Sequence, residues 1–301
     1  MMSNRPGLAV VFGGRGVIGA AIVSALRREG WQVDVVTHDR ERSSRPGHRF
    51  ADLLDRTTLP AAVAGAHLVV QSANFPNYPF EKPAKRWTFM EFDGAGTERL
   101  VTAAEAAGVG RYLFVAGVGV TDYPTKPYYQ AIQRGERAVL RASLDGVVLR
   151  PAFVFGPHDH GINKLLGWCR RGLPALPLPD GGRQQHQPVF VDDVGEAAAA
   201  LCRAAAPTGV FEIGGPQRMS MKDMVATAFD IAGVRQPIVP IHAGLSRWGA
   251  GVLERLPGPV LTRAALDFVL EDFVADNERV LAATGVTLTD FEVGLRSYLS
   301  S

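Results

Sequence analysis

The plainest chemistry in the chain lies near its start, in Gly13-Gly14-Arg15-Gly16-Val17-Ile18-Gly19. The run satisfies two overlapping registers, G-x-G-x-x-G from Gly14 and G-x-x-G-x-x-G from Gly13. Glycines there permit a tight turn, with backbone N–H groups brought close to a pyrophosphate. A helix beginning just after the turn adds unpaired N–H groups and a positive dipole end. The motif reads as the phosphate clasp of a dinucleotide, because apolar strand-like residues precede it and helical spacing follows.

Which dinucleotide is set by the next charged cluster. Asp39 lies 20 residues beyond Gly19, where a carboxylate holds ribose hydroxyls and favours NAD. The same end carries Arg15, His38, Arg40 and Arg42, and positive groups suit a 2′-phosphate. His38 is neutral at its reference pKa, so the arginines carry that preference. NADP is therefore favoured over NAD, although any one of these arginines equally reads as a solvated loop residue.

Other candidates lie further on. The segment Asn74-Phe75-Pro76-Asn77-Tyr78-Pro79-Phe80, with Trp87 and Phe89 starting the next helix, offers Phe75 and Tyr78 as grips for a planar or apolar substrate. His158-Asp159-His160 reads as a proton-transfer or substrate-binding trio, or as an exposed loop; its spacing matches no familiar metal site. Asp192-Asp193 fits a helix cap. Cys169 and Cys202 fit no metal or disulfide framework, so a reduced, cytoplasmic setting is expected.

The elements that must position these groups alternate. LAVVF at Leu8–Phe12, VDVV at Val33–Val36, a short strand ending at Phe50, then Ala66–Gln71, Arg111–Gly117 and Gly146–Arg150 read as six strands. Helical stretches fall at AAIVSALRREG (Ala20–Gly30, with Ile18, Ile22 and Leu26 in helical spacing), Pro60–Ala64, Arg86–Ala107 and Tyr129–Ser143. This predicts an α/β protein, a Rossmann-type doubly wound parallel sheet, with a smaller C-terminal substrate-binding lobe. The boundaries are 1–150 for the dinucleotide-binding domain and 151–301 for the lobe, with some later elements returning to the sheet. FEIGG reads as a late strand and Leu261–Tyr298 as mostly helical.

A net charge of +2 over 301 residues advertises no nucleic-acid or membrane partner, and no run of about 20 apolar residues spans a bilayer. A small-molecule partner is the expectation.

The chain resembles the extended and atypical branches of the short-chain dehydrogenase/reductase superfamily, near NAD-dependent epimerase/dehydratase-like proteins. The resemblance rests on the glycine turn, Asp52-Leu53, Ala73, Gly96-Thr97, Arg150-Pro151 with Gly156-Pro157, and Phe190-Val191-Asp192-Asp193-Val194. It implies that Asp52 and Leu53 lie along the adenine, that Ser72 and Ala73 bound the ribose beside the nicotinamide, and that Arg150 to Phe153, including Pro151, border the nicotinamide. It leaves a homodimer as an open expectation.

It also implies where the chemistry belongs. Relatives that oxidise or reduce a carbonyl centre use a serine after the fifth strand and a tyrosine followed four residues later by a lysine. Here the serine position is Gly117, the tyrosine is Tyr128, and Ile132 stands where the lysine belongs; shifting the register to Tyr129 gives Gln133. A phenol without a neighbouring ammonium titrates at about 10 and is a poor base at neutral pH. Lys126, Thr121, Asp122 and Tyr123 are the nearby substitutes. The reading is an NAD(P)-dependent oxidoreductase, a reductase of a small apolar or aromatic carbonyl, enone or quinone-like substrate, with an atypical site. The alternatives are a non-redox isomerase, cyclase or dehydratase, and a dinucleotide-sensing or assembly protein without catalysis.

Overall fold

An apolar, β-branched run with no polar face suits a strand covered on both sides, and Leu8–Phe12 forms β1 with Ala9 to Phe12 buried. The computed structural model describes residues 7–76, 80–172, 174–253, 266 and 269–299, so Tyr78 lies outside the described residues. After β1 come α1 (Val17–Arg28), β2 (Gln32–Thr37), α2 (Arg40–Ser43), β3 (His48–Phe50), α3 (Leu59–Val63) and β4 (Leu68–Gln71). Then follow α4 (Ala95–Ala106), β5 (Arg111–Val115), α5 (Pro127–Arg141) and β6 (Asp145–Pro151). The later elements are β7 (Val154–Phe155), α6 (Ile162–Arg170), β8 (Leu176–Pro179), β9 (Gln185–His186), β10 (Val189–Phe190) and α7 (Val191–Leu201). They continue with β11 (Gly209–Ile213), β12 (Met219–Ser220), α8 (Met221–Ala232), β13 (Ile238–Ile241), α9 (Ala243–Leu253), α10 (Glu278–Thr284) and α11 (Phe291–Leu299).

The chain divides into two units. The first holds Met1–Pro151, Val191–Ile213 and Ala275–Thr287. Its seven-stranded sheet runs β3-β2-β1-β4-β5-β6-β11, with every pairing parallel. Alternation along the strands sends side chains to both faces. Val10, Phe12 and Val36 join one core with residues of α3, α4 and α5. Val11 and Val35 instead converge with Val23 of α1 around Gly14. Helix α7 packs closely on α1, since a β-carbon on Gly195 would lie 2.8 Å from the Ala21 backbone. This is the doubly wound Rossmann-type sheet expected, with β11 as a seventh strand. Strand order reverses between β1 and β4, where a crevice opens beyond the strand ends in such sheets.

The second unit holds Ala152–Phe190, Gly214–Val274 and Leu288–Ser301. Its core gathers Phe155, Leu166, Leu178, Met224, Phe229 and Phe291. The Phe155 ring meets Phe291 edge-on at 4.8 Å.

Two helical expectations need correction. The helix expected from Arg86 starts at Phe89, because Arg86 takes a left-handed φ of 56°, and its first full turn is a π-helix, Met90–Gly94. In the stretch expected to be mostly helical, Leu266 and Val269 are helical, a non-helical segment leads to α10, and a non-helical link separates α10 from α11; residues 261–265, 267 and 268 lie outside the described residues. Gly285, left-handed at φ 66°, stops α10.

Candidate functional site

The glycine turn is built by what its residues lack. Gly13 has φ +78°, and a β-carbon on it would lie 2.6 Å from both Ala73 N and Ser72 C. The loops leaving β1 and β4 therefore touch backbone to backbone. Ser72 N donates to Phe12 O at 2.9 Å and holds them in register. A β-carbon on Gly19 would sit 2.1 Å from Gly13 O, so α1 approaches the turn as only glycine allows.

Gly16 is the N-cap of α1 and offers no side-chain cap, and the first turn carries no acidic residue. Its N–H closes the turn on Gly13 O at 2.9 Å. The space beside it is open, the nearest atom to an added β-carbon being Gly13 O at 3.4 Å. Val17 and Ile18 are half-buried, and their N–H groups belong to the first helical turn, which has no acceptor within its own helix. Open amides at an uncompensated positive helix end fit a pyrophosphate.

Around the expected adenosine end, Asp39 departs from its assigned part. Its carboxylate caps α2, accepting from Glu41 N at 3.0 Å and Arg42 N at 3.2 Å. It also pairs with Arg42 Nε at 3.0 Å. The bond from Arg42 N–H chiefly holds this carboxyl below its usual range. The ribose acceptor read from the sequence is thus engaged as a helix cap. The Arg40 guanidinium lies 4.2 Å over the Phe50 ring, while Arg15 and His38 are exposed. Asp52 Oδ1 accepts from Leu54 N at 2.9 Å, and Leu53 is buried with its carbonyl taking Arg99 Nε at 3.0 Å.

Tyr128 stands in the first turn of α5, half-buried, with Lys126 at the N-cap. Its ring meets Phe89 edge-on at 5.5 Å, and Phe89 meets Phe75 at 5.0 Å. Phe75 was expected as an open grip. It is only 5% exposed, and its edges are spent on Phe89, Phe92 and Trp87. Tyr129 is buried against Gly119, and burial pushes its phenol up to about 12.

The two helper positions differ physically. Ile132 is fully buried in the main core, with no water for an ammonium. At Gly117 an added β-carbon would meet nothing nearer than Pro151 O at 3.9 Å. Among the substitutes, Thr121, Asp122 and Tyr123 are exposed, and Gln133 Nε2 ties their loop to α5 through Thr121 O at 2.8 Å and Asp122 O at 2.9 Å. Arg150 grips Glu136 with two bonds of 2.7 Å, and Pro151 O accepts from Val118 N at 3.1 Å.

Phe153, His158 and His160 belong to the second unit. Phe153 packs edge-on to His186 at 5.6 Å. His158 and His160 are exposed, but Asp159 between them is buried, closing its own turn by accepting from Gly161 N and Asn163 Nδ2, each at 2.8 Å. The trio is thus two open imidazoles on a structural carboxylate. Asp192 and Asp193 lie inside the first turn of α7, not before it, with Asp193 buried.

Residues 9–214 match the model of the NAD dependent epimerase/dehydratase family. The chain belongs to that family. Relatives of this epimerase/dehydratase-family chain include the mitochondrial NADH dehydrogenase [ubiquinone] 1 alpha subcomplex subunit 9 of Arabidopsis thaliana. The two are 28% identical over 74% of this chain and 58% of that protein, so less than two thirds of the relative's length is spanned. A 3-diazoavenalumate denitrifying reductase of Streptomyces is 32% identical over 64% of this chain and 71% of its own. Among solved structures, a UDP-glucose 4-epimerase of Thermus thermophilus in complex with NAD superposes with a TM-score of 0.73, covering 97% of this chain and 98% of that one at 21% identity.

One residue of this family member escaped the sequence reading. Asp93, in the π-turn, is 1% exposed; its Oδ1 accepts from Phe75 N at 2.8 Å, and its Oδ2 is buried with no hydrogen-bond partner. The sequence around it, Met90-Glu91-Phe92-Asp93-Gly94 just before Gly96-Thr97, holds two acidic residues and nothing that marks Asp93 as the buried one.

Proposed function

We propose that this chain is an NAD(P)-dependent oxidoreductase that reduces a small apolar or aromatic carbonyl, enone or quinone-like acceptor, with NADP preferred to NAD. The observation that carries the reading is the Gly13–Ala73 contact, which leaves open amides of α1 at the sheet's switch point. A reduced nicotinamide bound there supplies a hydride, and the protein's share is placement and proton supply. Tyr128 donates a proton from its phenol to the acceptor oxygen. The aromatic wall behind it excludes water, which favours planar, weakly polar substrates. Without a serine hydroxyl at Gly117 or an ammonium at Ile132, little stabilises an oxyanion. Acceptors whose negative charge is delocalised suit this site better than simple ketones.

The NADP preference rests on Asp39 being occupied as a cap while Arg15 and Arg40 remain at the ribose end. The test is loss of reduced-nicotinamide absorbance with NADPH or NADH over quinone, enone and aldehyde panels. Turnover with a quinone or enone is expected; turnover of simple aldehydes alone would contradict the substrate class.

A second reading is supported by the similarity to a subunit of NADH dehydrogenase and by the closed core at Ile132. In it a dinucleotide stabilises a binding surface and is not consumed. Tight binding without turnover in any panel, and co-purification with another protein, would favour it.

A further inference from the structure

The loop after β4 is seated in the candidate site by a buried titratable group. Its residues Ser72 and Ala73 touch the glycine turn, and its Phe75 N–H is held by a side chain, Asp93 Oδ1, at 2.8 Å. The other oxygen of that carboxyl is buried and unbonded, and so is Asn74 Oδ1 in the loop itself. A neutral carboxylic acid tolerates such a place; a carboxylate with one unsolvated oxygen does not.

The surroundings offer no counter-charge. Among the described residues, no cation pairs with Asp93. Across α5, Gly94 faces the aliphatic part of Arg134, whose guanidinium is committed to Glu98. Arg86 and Arg99 turn to Glu91. From the preceding segment Glu81 faces it with the same sign, and the Tyr128 and Tyr129 rings add no charge to the neighbouring aromatic wall. On the strand side Tyr112, Gln71 and Thr97 form a closed relay that ends on the Asp93 carbonyl, not its carboxyl.

We propose that Asp93 is a positioning residue for the cofactor face: its carboxyl seats residues 72–75 against the glycine turn, and releases them when it takes a negative charge. Burial, with the Glu81 charge adding and the Phe75 bond opposing, brings this group up to about 7, so the release falls within the working range of pH. The ion gains by letting water reach Oδ2, and lifting the loop held by the other oxygen admits it. The proposal rests on the dinucleotide reading for its consequence, but the loop motion is measurable without any cofactor.

The experiment follows amide exchange of Phe75 from pH 5.5 to 8.5, corrected for intrinsic base catalysis, in the wild type and Asp93→Asn. It is paired with calorimetric affinity for NADP⁺ over the same range. Asn keeps the acceptor for Phe75 N and cannot ionise. The wild type is expected to lose Phe75 protection and dinucleotide affinity, by up to about tenfold per pH unit, as pH rises to about 7, and to level off above it, where the seated carboxyl is ionised as well. Asp93→Asn should show flat profiles in both. Equal exchange profiles in the two proteins overturn the proposal, whatever the affinities do. Divergent exchange profiles with no NADP⁺ binding at any pH uphold the loop device and sink the cofactor reading instead. Should Asp93→Asn fail to fold, exchange in the wild type decides alone: protection that is flat across the range overturns the proposal.

Discussion

A β-carbon on Gly13 would lie 2.6 Å from the amide nitrogen of Ala73, so the phosphate turn and the loop after β4 share one contact that only a hydrogen atom can fill. Gly13→Ala must push the two loops apart and also force alanine into a left-handed backbone. The strain costs about 1–3 kcal/mol of stability, read by urea denaturation, and dinucleotide affinity is lost with it. Gly16→Ala separates the two effects. Its β-carbon meets only Gly13 O, at 3.4 Å, so stability stays near wild type while affinity falls, because the methyl group fills the space reserved for phosphate. Unaltered affinity in Gly16→Ala would remove the phosphates from this turn.

The cofactor preference has its own test. With Asp39 engaged as the α2 cap, the proposed NADP preference assigns the 2′-phosphate to Arg15 and Arg40. Arg40→Ala and Arg15→Ala should each weaken NADP binding by about tenfold, the worth of one or two charge-assisted hydrogen bonds, and leave NAD binding nearly unchanged. Calorimetry with both dinucleotides checks this; equal losses for NAD and NADP would point to a general electrostatic role.

The missing helpers predict an asymmetry in repair. Gly117→Ser introduces a hydroxyl where the nearest atom to its β-carbon is 3.9 Å away, so folding should be unaffected and reduction of simple carbonyls should rise. Ile132→Lys places an ammonium in a fully buried position and should cost at least about 3 kcal/mol, shown by a lowered urea midpoint. Gly117 borders open space and Ile132 lies in the core, so only the first position accepts a polar side chain by one substitution. No gain in turnover from Gly117→Ser would argue against Tyr128 as the proton donor.

What the sequence disclosed follows from which forces are local. The strand at Leu8–Phe12 and the glycine turn were legible because period, chirality and close backbone approach are written in neighbouring residues. Asp93 was not, because its burial depends on a π-turn that shifts the helix phase by one residue, which no 3.6-residue pattern anticipates. Phe75 looked like an exposed grip because a loop residue is normally at the surface; three aromatic partners, distant by sequence, close over it. Asp39 was correctly placed beyond β2, but the short helix α2 that consumes its carboxylate was too short to show a period.

His186 extends the reasoning to the second unit. It is 1% exposed, lies between Phe153 and Phe273 with ring centroids 5.6 Å from each, and neither ring nitrogen has a hydrogen-bond partner. Burial, opposed by Asp272, holds its pKa down to about 4 from 6.5. The folded state therefore refuses a proton that the unfolded chain accepts between those values. Stability is complete above about pH 6.5 and is lost as pH falls through 4, by an amount on the order of 3 kcal/mol. His186→Phe removes both effects. It replaces an imidazole that buries two unsatisfied nitrogens by a ring suited to its aromatic neighbours, so the variant should gain about 1–2 kcal/mol at neutral pH and lose less between pH 6.5 and 4. Urea denaturation at pH 7.5 and 4.5 reads both. A variant less stable than wild type at pH 7.5 would mean that the imidazole nitrogens meet partners in solution, and that the ring is kept for its polarity.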